Sequence, residues 1–79
     1  MRANFIKVED INGFVEFVSK LKGKVYLKSG EYKVNAKSII GAMYIINENP
    51  ENVIVEVEDD EEKKAVLNFL MQGSHLSND

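Results

Sequence analysis

The chain has no cysteine and no tryptophan, one proline and one histidine among 79 residues. Without cysteine there is no disulfide framework, thiolate metal site or thiol nucleophile, so the fold depends on its apolar core alone. Apolar runs are short, and nothing approaches the length of a membrane span. The N-terminal stretch Met1-Arg2-Ala3-Asn4-Phe5-Ile6-Lys7 carries charge where a secretory signal would place an apolar segment. A cytoplasmic protein is expected. Basic charge is also scarce: the formal net charge is −3, and the lysines are scattered among acidic residues. Nucleic acid and anionic membranes are therefore not expected partners. A chain of this length holds one core and one domain, expected over residues 1–72 with a flexible tail at 73–79.

Residues 3–8 read as a short strand with Ile6 and Val8 on one face. Asp10 can cap a helix whose apolar positions Ile11, Phe14, Val15, Val18 and Leu21 follow helical spacing, and Lys22-Gly23 ends it. Val25 and Leu27 alternate with Lys24, Tyr26 and Lys28, and Tyr32 and Val34 alternate with Lys33 and Asn35. These are two strands of a hairpin turning at Ser29-Gly30. Ser38 is placed to cap a helix running through Ile46, and the polar loop around Pro50 stops it. Val53, Val55 and Val57 form a fourth strand, and Asp59, with Glu62 three residues on, opens a last helix with the stripe Val66, Phe69, Leu70.

The expected order is β-α-β-β-α-β-α. Each strand has a single oily face, which calls for an α+β open-faced sandwich: an antiparallel sheet with three helices on one side. The inward set is expected to be Ile6, Phe14, Val18, Val25, Leu27, Val34, Ile46, Val53, Val55, Val57, Val66 and Phe69.

Catalytic candidates are few. His75 lies in the polar tail, where no neighbouring element would orient it as a base, so no enzyme activity is expected. The acidic run Glu56, Glu58, Asp59, Asp60, Glu61, Glu62 lacks the glycine and the ligand alternation of a calcium loop. Its acids complement a helix N-terminus, and neither a metal nor a cofactor is expected. The central helix is different. Ala42, Ile45 and Ile46 make a core face, which leaves Ile39 and Met43 as an apolar patch beside the helix start. A phosphate on Ser38 would meet free backbone amides and the positive end of the helix dipole there.

The run Val34-Asn35-Ala36-Lys37-Ser38-Ile39-Ile40-Gly41-Ala42-Met43, preceded by the hairpin Val25 to Lys33, resembles the regulatory-serine segment of HPr, the histidine-containing phosphocarrier of the bacterial sugar phosphotransferase system. The resemblance extends without gaps from about Ser19 to Glu62. It implies a four-stranded sheet in the order 1-4-2-3. It also implies that Ser38 is the residue phosphorylated by the family's kinase, with Ile39, Ile40 and Met43 docking protein partners: phosphotransferase enzymes, the kinase, or a transcriptional regulator. The family's Gly-x-His-Ala-Arg-Pro loop, which supplies the phosphocarrying histidine and its arginine between the first strand and first helix, has no counterpart here. The reading is thus a non-catalytic regulatory or adaptor relative. Two alternatives stay open: a carrier using Asp10 or Glu9 as an unusual acceptor, and a structural or oligomeric module whose interface is the sheet face of Lys24, Tyr26, Lys28, Lys33 and Ile54.

Overall fold

A computed structural model of the chain describes residues 2–3, 8–49 and 52–73. Its elements are β1 (Arg2–Ala3), α1 (Val8–Ser19), β2 (Val25–Ser29), β3 (Tyr32–Asn35), α2 (Ile39–Glu48), β4 (Val53–Val57) and α3 (Asp60–Gln72). The order is the one expected from periodicity, and the four strands form one sheet in the order β1-β4-β2-β3 with every pairing antiparallel.

The alternation of Val25, Leu27, Val53 and Val55 determines the register. Leu27 pairs with Val55 and Val25 with Val57, so the valines and leucine of the two central strands share one face. That face meets Phe14 and Val18 of α1, Ile45 and Ile46 of α2, and Val66 and Leu70 of α3 in a single buried cluster. Each of these side chains, removed from water, contributes about 2 kcal/mol of hydrophobic stabilisation. The cluster also takes in Ala3 and Ala36, both fully buried, whose small side chains give no periodic signal in the sequence.

Of the expected inward set, Val34, Val57 and Phe69 are only half-buried. Val34 belongs to the edge strand and Val57 ends its own. Phe69 lies at the seam of α1 and α3, stacked on Phe17 with centroids 4.5 Å apart. Ile6, Pro50 and His75 lie outside the described residues. So does the segment 74–79, while Gly73 still belongs to the end of α3, donating its N–H to the Phe69 carbonyl.

Two local expectations need correction. The strand expected over residues 3–8 does not reach Val8, which is already helical, and Asp10 is not a cap but part of the first turn of α1. The physical reason is that an acid in the first turn meets the helix dipole as favourably as one at the cap, so the sequence pattern leaves the start open by two residues. Likewise the hairpin turn is Gly30-Glu31, not Ser29-Gly30: Ser29 pairs with Tyr32, and Gly30 takes the left-handed conformation, φ 59°, that such a two-residue connection demands.

Candidate functional site

The segment from Asn35 to Gly41 turns the chain from the edge strand into α2 and is held by hydrogen bonds both within itself and to neighbouring elements. Ala36 donates its N–H to the Val25 carbonyl at 2.8 Å, which ties the corner to the sheet. The Asn35 side chain accepts from the Lys37 N–H at 2.9 Å, and the Asn35 carbonyl from the Ser38 N–H at 3.1 Å. The Lys37 ammonium reaches across to the carbonyl of Leu21, 2.6 Å away, just past the C-terminal end of α1. A cation there satisfies a carbonyl of the loop and stands near the negative end of the α1 dipole. Lys37 therefore fixes the entry to α2 against α1.

Ser38 caps α2 as the sequence predicts. Its backbone is extended, at φ −95° and ψ 114°, and its hydroxyl accepts from the Gly41 N–H at 3.4 Å. The residue is exposed. The N–H groups of Ile39 and Ile40 stand at the first turn, where no preceding helical carbonyl exists to receive them. Gly41 lets this turn approach the sheet: a Cβ there would lie 3.3 Å from the Val34 side chain.

Beyond the cap, the candidate docking residues separate. Ile40 is 81% exposed and Ile39 38% exposed. Met43, expected on the same open patch, is half-buried and packs against the core cluster. The correction is geometric: Met43 lies one turn before the buried Ile46 and one position after the buried Ala42, which turns its side chain to the rim of the core. The exposed row is instead Ile40, Tyr44 and Glu48, four residues apart, with Tyr44 50% exposed. Tyr44 meets Tyr32 of β3 edge to face, with centroids 6.1 Å apart at 78°. Both tyrosines escape a search for core stripes. The four-residue spacing of Ile40, Tyr44 and Glu48 was the signal available for them.

Residues 4–7, Asn-Phe-Ile-Lys, lie between β1 and α1 in the sequence and outside the described residues, and Glu9 and Asp10 stand in the first turn of the helix rather than before it. No histidine or arginine occurs in that connection. The acidic run at the start of α3 is structural. Asp59 caps the helix, accepting from the Glu62 N–H at 3.0 Å. Glu62 does not return to the cap, as the Asp59-x-x-Glu62 pattern suggests. It turns instead to the loop after α1 and accepts from the N–H groups of Lys22 and Gly23. Among the described residues no group of three or more histidine and carboxylate side chains is gathered as for a metal ion.

The open sheet face is internally paired. Glu56 holds Lys28 at 3.0 Å and Lys33 at 3.4 Å, and the Lys33 ammonium sits 4.3 Å from the centre of the Tyr26 ring. The hydrogen bond from Lys28 holds the Glu56 carboxyl below its ordinary value. Desolvation opposes that shift, and the positive charges of Lys28 and Lys33 add to it.

The family described as "PTS HPr component phosphorylation site" matches residues 10–70. The chain belongs to the HPr family. A crystal structure of HPr-C-His from Thermoanaerobacter tengcongensis is similar over 86% of this chain and 80% of that one, with 27% sequence identity and a TM-score of 0.68. No curated protein matches the chain. HPr proteins are phosphocarriers of the phosphotransferase system that work through protein partners. Among the described residues no helix is long and apolar enough to cross a membrane.

Proposed function

We propose that the chain is a non-catalytic regulatory or adaptor member of the HPr family, a cytoplasmic bacterial protein that docks partners through α2 and accepts phosphate at Ser38. The observation that carries this reading is the contrast between two family elements. The connection between β1 and α1 holds neither the histidine nor the arginine of a phosphocarrier, while Ser38 stands exposed on a helix N-terminus with Ile39 and Ile40 beside it.

The chemistry favours Ser38 as an acceptor of kinase-delivered phosphate. Its oxygen would attack the γ-phosphorus of ATP as the bond to the β-phosphate oxygen breaks, ADP leaving and the hydroxyl proton passing to a base of the kinase. The product oxygens would lie over the N–H groups of the first turn and the positive end of the dipole, so the modification costs the helix little. Phosphate there would place about two negative charges next to Ile39 and Ile40, which switches the character of the docking surface from apolar to acidic. Partners of this kind are phosphotransferase enzymes, the serine kinase of the family, or a transcriptional regulator.

Intact-mass spectrometry tests the reading directly. Incubation with phosphoenolpyruvate and the general phosphotransferase enzyme, analysed at neutral pH, is expected to add no phosphoryl group. Incubation with the serine kinase and ATP is expected to add one, and Ser38→Ala to abolish it. A phosphoryl group gained from phosphoenolpyruvate, whether lost on His75→Ala or acid-labile at Glu9 or Asp10, would overturn the proposal in favour of a carrier.

A further inference from the structure

We propose that the C-terminal end of α2 and the turn between β2 and β3 form a receptor for an arginine side chain of the protein partner. The inference rests on the docking reading above and extends that surface along the helix.

A cleft of about 380 Å³ opens there, with Glu31 and Tyr32 from the hairpin on one side, Glu48 and Asn49 from the helix end on the other, Asn52 beside them and Ile45 at its base. Among the described residues its charged lining is two carboxylates, Glu31 and Glu48, and no cation. Among the described residues neither Glu31 nor Glu48 lies within ion-pair distance of a lysine or arginine. A second cleft, about 290 Å³ on the open sheet face, differs in this respect: it is lined by Lys33 and Lys63 as well as Glu56 and Glu58, and Glu56 already holds two lysines. Among the described residues, the carboxylates of the first cleft face no lysine or arginine in its lining.

The shape of the lining selects among cations and against other occupants. Tyr32 lines the cleft and is 60% exposed, meeting Tyr44 edge to face. A guanidinium is planar, stacks on such a ring, and directs several N–H groups outward in its own plane. Those donors find the carboxylates of Glu31 and Glu48 and the side-chain carbonyls of Asn49 and Asn52. A phosphate or carboxylate would face two like charges, and an apolar side chain would desolvate both glutamates with nothing to pair them.

The cleft is also in line with the proposed docking surface. Ile40, Tyr44 and Glu48 form one exposed row along α2, and eight residues of helix span about 12 Å from the first to the last. A partner that covers Ile40 with an apolar anchor reaches the cleft with a residue about 12 Å further along.

The test uses the isotope-labelled chain, amide chemical shifts, and Nα-acetyl-arginine amide as the probe, with Nα-acetyl-glutamate amide as the counter-probe. Saturable shifts are expected at Glu31, Tyr32, Glu48, Asn49 and Asn52 with the arginine probe and none with the glutamate probe. The Glu31→Gln, Glu48→Gln double substitution should weaken the arginine probe by at least about fivefold, the scale of a lost charge-assisted hydrogen bond. Tyr32→Ala should weaken it as well. Should the double variant melt early, Glu31→Gln alone, in an exposed turn, repeats the measurement. Ile40→Asp should leave the probe affinity unchanged, so loss of partner binding through Ile40 and loss of the arginine site are read separately. Equal shifts from both probes, shifts elsewhere, or an affinity indifferent to both glutamate substitutions would overturn the assignment.

Discussion

Gly23 donates its backbone N–H to Glu62 at 2.8 Å, and a Cβ at Gly23 would sit 2.7 Å from that same carboxylate oxygen. The loop leaving α1 and the first turn of α3 are therefore joined by a contact that a side chain at Gly23 would crowd. The second oxygen of Glu62 takes the neighbouring N–H of Lys22 at 2.7 Å, so one side chain satisfies two loop amides.

Removing that carboxylate should cost stability, and so should crowding it. Glu62→Ala is expected to lower unfolding free energy by about 1–2 kcal/mol, the scale of losing partners for half-exposed amides. Gly23→Ala should cost a similar amount, because the methyl group displaces the flexible end of Glu62 rather than any backbone. The double variant should then be far less destabilised than the sum of the two, since both changes break one contact. Urea denaturation of the four proteins measures this, and strict additivity would show that Gly23 and Glu62 act independently.

That contact also marks the limit of what the chain discloses before folding. Strand alternation at Val25, Leu27, Val53 and Val55 and helical spacing at Phe14, Val18, Val66 and Leu70 were enough for the element order and the one-sided sheet, because each segment has a single apolar face to bury. Ser38 was legible as a cap for the same local reason. Glu62 was not: three residues from Asp59 it fits a capping box, yet a neighbouring element offers two amides that the local pattern cannot represent. Met43 failed similarly. Helical spacing places it off the central stripe, but the width of the buried face depends on how closely α2 approaches β3, and Gly41 brings them together.

At the cap itself, Ser38→Ala should cost about 0.5–1 kcal/mol, at the low end for caps since the bond to the Gly41 N–H is long, at 3.4 Å. Ser38→Asp should retain wild-type stability or exceed it slightly, because a carboxylate both accepts the bond and meets the helix dipole. Thermal melts at low salt resolve the difference. Equal destabilisation by alanine and aspartate would mean that the hydroxyl contributes through something other than capping.

The open sheet face makes a prediction about acid. Glu56 has its carboxyl held below the ordinary value of 4.5, chiefly by the hydrogen bond from Lys28. A depressed value in the folded state contributes stability that is present above the unfolded value and is lost as pH falls through the folded one. Wild type should therefore lose more stability than Glu56→Gln between neutral pH and the region below pH 4.5, and added salt should shrink the gap, as for any exposed ion pair. Parallel acid titrations of the two proteins that superimpose would show the Lys28–Glu56–Lys33 arrangement to be energetically silent.

The docking surface is tested by separating Ile40 from Met43. Ile40 is 81% exposed, so Ile40→Asp places a charge where water already is and should leave the melting temperature nearly unchanged. Met43 packs on the rim of the core, and Met43→Asp buries part of a carboxylate without a partner, a change expected to cost about 2 kcal/mol or more. Loss of partner binding by Met43→Asp would thus be ambiguous, since a loosened fold loses partners too. Ile40→Asp is the decisive variant: with the fold intact, binding to a phosphotransferase enzyme or to the serine kinase should weaken by about tenfold, the loss of one well-packed apolar anchor. Isothermal titration of each variant beside its melting curve separates the two effects. If Ile40→Asp binds as the wild type does, the exposed row on α2 is not the docking surface, and partners must reach the domain by another face.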